Sequence, residues 1–242
     1  MRWFVRLVAV LAPLALMPLA HAQSTLDKAA IEKIVREYLV GHPEVLVEAL
    51  QEYERRQNAE KDERAKAALT KYRDELTSDE MTPVGGNPKG DVTIVEFFDY
   101  NCGYCRRAHP TVKSVVSSDG KIRIVHKQFP ILSEDSKVAA RMALAAAKQG
   151  KYFEMHNALM EARGQISAPV MARIVADLKL DAQRLTKDMD DPAIAAHIEK
   201  VAKLAHALGV NGTPAFVIGS QLIPGAVDAD TMKAAVAKAR KG

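Results

Sequence analysis

Cys102 and Cys105 are the only cysteines in this 242-residue chain, and Gly103 and Tyr104 stand between them. The pair follows the apolar run Val92 to Phe98 and precedes a segment able to form a helix. A strand that hands over to a helix at a dithiol puts Cys102 at the helix N-terminus. There, unpaired backbone N–H groups and the macrodipole favour a thiolate over a thiol. Cys105, one turn further in, lies within reach of a mixed disulfide formed at Cys102. The expected pair is an exposed nucleophile and a shielded resolving thiol, and the chemistry is reversible thiol–disulfide exchange, which needs no cofactor and no metal.

Other uses of the motif have to be weighed. Structural zinc requires four ligands, and the chain has neither a second C-x-x-C nor a His pair at finger spacing. Attachment of a c-type haem requires His after the second cysteine, where Arg106 stands. A purely stabilising disulfide would close a very short ring and constrain the unfolded chain little. A periplasmic copper-binding or sequestering protein is a reading of another class, since soft thiolates suit Cu(I) and a nearby Met or His could add a ligand. Arg106 and Arg107 read as a solvated face, although cations beside Cys102 would help to hold its thiolate.

The pair must be read in its compartment. Met1 to Ala22 has the form of a secretory signal: Arg2 and Arg6, an apolar stretch from Leu7 to Leu19, then Ala20-His21-Ala22 as a small-residue cleavage site. Pro13 and Pro18 interrupt the run, which is short for a membrane span. A mature chain beginning near Gln23 and sent to a bacterial periplasm is expected. In that oxidising space two cysteines leave no scaffold disulfides, so the pair is reserved for chemistry. The formal charge of +4 falls to +2 without Arg2 and Arg6, too little to argue for a nucleic-acid partner.

Three stretches of chain position the dithiol. From Leu26 to Leu76 the sequence is helical and highly charged, with an apolar stripe Ile31, Ile34, Val35, Tyr38 and Leu39. Gly41-His42-Pro43 stops that helix, and a second carries Leu46, Leu50 and Tyr53. Residues 54–64 are nearly all polar, and a weaker stripe of Ala65, Ala68, Leu69, Tyr72 and Leu76 follows. Such stripes need a partner. It is either the chain's own domain or another copy, and the intervening polar stretch favours self-association through the Leu26 to Tyr53 region. Thr82 to Gly90, dense in Gly and Pro, marks a domain boundary.

Val92 to Phe98 then reads as a central parallel strand buried on both faces, with Glu96 inside it. A carboxylate between Val95 and Phe97 is either an edge group reaching water or a proton acceptor and donor for Cys105 with a raised pKa; the apolar neighbours favour the second. Arg106 to Ser117 continues as helix with a kink at Pro110, and His109 is expected on its surface. Lys121 to Lys127 alternates as a second strand, and Ser136 to Leu208 is helical, punctuated by Gly150, Gly164 and Pro169 with another helix starting at Pro192, and with His156, His197 and His206 given no role in catalysis. Gly212 to Gly219 and Gln221 to Ile223 form a hairpin around Gly219-Ser220, and Asp228 caps a last helix from Ala229 to Lys238. Thr213-Pro214 before a strand is a candidate cis peptide.

Glu96, the Cys-Gly-Tyr-Cys at 102–105, Thr213-Pro214 and a helical insertion between the second and third strands together resemble the thioredoxin fold as elaborated in DsbA-type periplasmic oxidoreductases. The resemblance implies an α/β catalytic domain over 83–242, with an insertion at about 133–209, behind a helical oligomerisation and linker region over 23–82. It implies that Thr213-Pro214 is cis and lies against the dithiol, so that the Thr213 backbone pairs with an extended client peptide beside Gly103 and Tyr104. It assigns the attack to Cys102 and the release to Cys105. DsbA oxidases typically carry Cys-Pro-His-Cys and Val before the cis proline, whereas Cys-Gly-Tyr-Cys and Thr-Pro resemble the DsbC-type isomerases. A DsbA-type domain with a helical arm is similar to the ScsC-like proteins, some of them trimeric isomerases linked to copper tolerance. Tyr104 lacks the cationic stabilisation of a histidine, which makes the disulfide less oxidising. The resemblance therefore implies a dimeric or trimeric disulfide isomerase or reductase, serving misfolded exported proteins and kept reduced by a membrane redox partner. A monomeric dithiol oxidase would share every one of these residues.

Overall fold

The computed structural model describes residues 27–241; the segment expected to direct export, Met1 to Ala22, lies outside the described residues. The chain divides between Arg56 and Gln57 into two compact units. The first holds α1 (Lys28–Gly41) and the start of α2 (Pro43–Lys71). Asp27 caps α1, its side chain accepting from the Ala29 N–H. The apolar stripe is present and exposed, with Ile34, Tyr38, Leu50 and Tyr53 all more than half accessible. The polar stretch that follows does not end the helix. Glu52 pairs with Arg55 and Arg56, Glu60 with Arg64 and Glu63 with Lys66, all at i, i+3 or i, i+4. Such pairs support a helix that has no apolar face to pack.

The second unit is organised on a five-stranded sheet. Its elements in order are α3 (Arg73–Thr77), β1 (Val84–Gly86), β2 (Val92–Phe98), α4 (Gly103–Asp119) and β3 (Ile122–Gln128). The helices α5 (Glu134–Ala147), α6 (Tyr152–Glu161), α7 (Ala168–Asp177), α8 (Ala182–Met189) and α9 (Pro192–Ala207) follow, then β4 (Ala215–Ile218), β5 (Gln221–Pro224) and α10 (Ala229–Ala239). The strand order is β1-β3-β2-β4-β5, so β2 is central. It pairs in parallel with β3, Val92 opposite Ile122, and antiparallel with β4, Val95 opposite Val217. Five helices fill the connection from β3 to β4, with breaks at Gly150 and Gly164 and a start at Pro192, and α4 runs unbroken through Pro110 over 17 residues.

Alternation along β2 sorts the core. Val95 and Phe97 face Val125, Val217, Val201 of α9 and Leu69 and Leu76 from the end of α2 and α3. Ile94 faces the other way, against Val112 and Val115 of α4 and Met232 and Val236 of α10. Phe98, on the same face as Ile94, joins Cys102, Cys105, Met155 and Leu159 in a third cluster under the helical insertion.

The Gly/Pro-rich stretch from Thr82 to Gly90 also holds a strand that was not expected there: β1 pairs antiparallel with β3, Val84 opposite Val125. Gly86 permits this, because its φ is +67° and a Cβ there would collide with the Ile122 carbonyl oxygen. Alternation along Lys121 to Lys127 fails, since Lys127 is fully buried. Its ammonium donates to the Glu75 carbonyl at 2.8 Å and the Thr82 hydroxyl at 2.9 Å, with Asp79 at 4.0 Å. Burial pulls its pKa down to about 8. Leu76→Ala, at a side chain 3% exposed, is expected to cost about 2–5 kcal/mol in urea unfolding without changing the denaturant slope.

Candidate active site

The strand that carries Glu96 ends at Phe98, and Asp99 makes the turn into the dithiol. Its buried carboxylate accepts the Asn101 N–H at 2.8 Å through Oδ1, and the Ile131 and Leu132 N–H groups at 2.9 and 3.0 Å through Oδ2. Its backbone carbonyl accepts the Cys102 N–H at 3.0 Å. Asn101 extends the clamp, its Oδ1 accepting the Ile166 N–H at 2.7 Å and its Nδ2 donating to the Ser133 hydroxyl at 3.3 Å. The loop that delivers Cys102 is thus tied to the segment after β3 and to the helical insertion. Asp99 and Asn101 were not singled out from the sequence. The signal available was an acidic and an amide residue between a buried strand and a helix cap, where turn chemistry is expected.

Cys102 is the N-cap of α4, with extended backbone (φ −74°, ψ 110°), and its sulfur accepts the Cys105 N–H at 3.3 Å. The Cys102 thiol also reaches the Thr213 carbonyl oxygen at 3.1 Å. The Thr213-Pro214 peptide bond is cis. Both cysteines are free thiols. Hydrogen bonding from Cys105, then from Thr213 and the first turn of α4, pulls the Cys102 thiol down to about 6 against the opposing effect of burial. Cys105 is pushed the other way, burial first and its neighbour's sulfur second.

Some details differ from expectation. Cys102 is only 5% exposed, so the nucleophile, expected to be exposed, is shielded, with the Thr213 carbonyl oxygen against its sulfur. Arg106 and Arg107, read chiefly as a solvated face, do not serve the thiolate, and Arg107 is exposed. Arg106 donates to the Met160 and Gly164 carbonyls, and the Arg107 guanidinium lies 4.3 Å from the centre of the Tyr104 ring. Gly103 and Tyr104, next in sequence, are exposed, Tyr104 at 63%.

Glu96 is 1% exposed and on the β2 face that carries α4, the face of Ile94 and Phe98. Burial raises its pKa to about 8. Its Oε2 faces His126 Nδ1 at 3.7 Å, and Oε1 has no hydrogen-bond partner among the described residues. His109, expected at the surface, is 4% exposed, and His156 is 2% exposed. The sequence signal for His126 was its register, two residues beyond Ile124 and opposite Glu96 in the pairing of β2 and β3. A carboxylate held at about 8 binds a proton in the fold that it gives up near pH 4.5 when unfolded. It therefore lowers stability progressively as pH rises from about 4.5 to about 8. Glu96→Gln is expected to remove that slope, and to raise the melting temperature at pH 8 more than at pH 5 by calorimetry.

A family model described as a DsbA-like thioredoxin domain matches residues 93–237, and one described as the copper resistance protein ScsC N-terminal domain matches residues 27–60. A thioredoxin-like oxidoreductase from Silicibacter pomeroyi DSS-3 superposes with a TM-score of 0.69 at 48% identity, covering 70% of this chain and 98% of that one. The catalytic domain of Proteus mirabilis ScsC superposes with a TM-score of 0.67 at 25% identity, covering 73% and 99%. A Na(+)/H(+) antiporter NhaA of Salinispora arenicola is 30% identical over 161 residues, 66% of this chain but 25% of the antiporter, so the chain spans about a quarter of that curated relative. With its α/β sheet, its dithiol capping α4 and its cis Thr213-Pro214, the chain belongs to the family of DsbA-like thioredoxin domains.

Proposed function

We propose that the chain is a protein-disulfide oxidoreductase that acts on exported proteins chiefly as an isomerase and reductase. The observation that carries this reading is the asymmetry of the dithiol: Cys102 is held near pKa 6 at the helix cap while Cys105, buried behind it, is raised. At neutral pH Cys102 is the thiolate that attacks, and Cys105 keeps its proton until it is needed. The Thr213 carbonyl against Cys102 supports a client strand lying along the 213–214 segment, with Gly103 and Tyr104 at its edge.

In the reductive half, the Cys102 thiolate attacks a client disulfide and one client sulfur leaves. The mixed disulfide then resolves in one of two ways. A client thiol can attack within the client and regenerate Cys102, which is isomerisation. Alternatively Cys105 attacks Cys102, forming the internal disulfide and releasing the client reduced, with the ionised fraction of Glu96 accepting the Cys105 proton. A separate membrane reductase then returns the pair to the dithiol. The isomerase direction is favoured because Tyr104 stacks under Arg107 and brings no cation to Cys102. A dithiol oxidase would use the same residues and is separated by its reduction potential. Among the described residues no three His, Cys, Asp or Glu side chains group as ion ligands, so a copper-sequestering reading would rest on the two thiols with a Met of the same cluster.

Export to the periplasm is supported by the signal-like start of the sequence, and no described helix is long and apolar enough to cross a membrane. Self-association through α1 and the start of α2 is supported by the exposed Ile31, Ile34, Tyr38, Leu46, Leu50 and Tyr53, and by the match of residues 27–60 to the ScsC N-terminal domain. Facing dithiols on one oligomer would hold a misfolded client through several exchanges.

Two measurements test this. Cys102→Ala should abolish reactivation of scrambled ribonuclease, and retained reactivation would refute the assignment. In sedimentation at micromolar concentration the mature chain should be a dimer or trimer and Leu50→Glu a monomer; a monomeric parent would remove the oligomer.

A further inference from the structure

Three histidines that the dithiol mechanism leaves unused are packed behind it. The His126 and His156 ring centres are 4.6 Å apart, and those of His156 and His109 are 5.2 Å apart. One end of this row meets Glu96, whose Oε2 is 3.7 Å from His126 Nδ1; the other meets Glu161, whose Oε1 is 3.7 Å from His109 Nε2. Glu161 is 56% exposed. We propose that His126, His156 and His109 form a proton conduit joining the buried Glu96 to solvent beside Glu161. None touches sulfur, so they are positioning residues for the proton of Glu96, and the inference rests on the dithiol reading above.

A row of stacked rings needs no such role, but this one is not satisfied as mere packing. His126 Nδ1, His156 Nε2 and His109 Nε2 are buried without a hydrogen-bond partner among the described residues, as is Glu96 Oε1. Orphaned groups of this kind are costly and uncommon. All three histidines line an open groove of about 1180 Å³ between β1, α4 and α6. A small ring rotation closes each 3.7 Å gap to hydrogen-bond distance. The groups facing the row are Tyr100, whose hydroxyl lies 3.1 Å from His156 Nδ1, Tyr152 stacked on His156, and Lys113, which pairs with Glu161 at 2.8 Å. Lys113 repels a proton resting on the row and helps to keep the imidazoles neutral.

The step balances without an added reactant. In the ionised fraction of Glu96, about a tenth at pH 7 for a value near 8, the carboxylate takes the Cys105 proton and Cys105 attacks Cys102. The Cys102–client bond breaks as the Cys102–Cys105 bond forms, and the client sulfur takes the electron pair and leaves. Protonated Glu96 then gives its proton to one nitrogen of His126, which releases a proton from the other towards His156, and so through His109 to solvent. Burial holds His126 near 3 against about 8 for Glu96. The imidazolium is therefore a short-lived carrier, and the proton rests on Glu96 or in solvent. Reversal of the row reloads Glu96 when the pair is reduced.

The test follows the release of a peptide from a Cys102 mixed disulfide by Cys105, in stopped flow across pH 5 to 9, in the full chain. His126→Ala and His156→Gln should each slow release about ten-fold or more near neutral pH and change its pH profile. Added imidazole, small enough to enter the groove, should restore His126→Ala in a saturable way and leave the parent unaffected. Parental rates and profiles in both variants, or losses that imidazole does not restore, would overturn the conduit. A parent that releases no peptide at all would overturn the dithiol reading itself, so the two failures are distinguishable.

Discussion

The hydrogen bond from the Cys105 N–H to the Cys102 sulfur is the contact on which the site depends. It makes a sulfur the cap of α4, where the free N–H groups of a first turn call for negative charge. The same three-residue offset that brings this N–H to Cys102 carries the Cys105 side chain inward, to zero exposure. One helix start therefore separates two identical thiols into an anion and a protonated reserve. Asp99 and Asn101 hold that helix start in place through backbone N–H groups drawn from two other segments. The thiolate stabilises the reduced fold fully above the ordinary thiol value of 9.0, and this contribution is lost as pH falls towards about 6.

A second constraint comes from the sheet. β2 is buried on both faces, so Glu96 cannot reach water and stays largely protonated at neutral pH. The parallel register places His126 opposite it. The helical insertion then supplies His156 and Tyr152, and α4 supplies His109. Redox chemistry at α4 and ionisable groups beneath it thus share one face of one strand.

Much of this was legible in the residues. The C-x-x-C pair, the apolar run before it, the Gly219-Ser220 hairpin and the Asp228 cap are local signals, and each is found where local physics puts it. What escaped was non-local. β1 lay hidden in a Gly/Pro stretch because its pairing with β3 depends on a close backbone approach at Gly86. Lys127 and His109 looked solvated because single-strand and single-helix patterns do not reveal a neighbour that arrives from 50 residues away. Lys127 finds Glu75 and Thr82, and His109 finds His156. Arg106 and Arg107 were adjacent in sequence to the thiolate but aimed elsewhere.

The most direct measurement is the rate at which an alkylating reagent modifies each thiol of the reduced chain as a function of pH, with the modified residue identified by mass. Cys102 should react with a half-maximal rate near pH 6 and Cys105 should remain unmodified until the fold opens. A midpoint near 9 for Cys102, or equal modification of the two cysteines in the folded chain, would contradict the account.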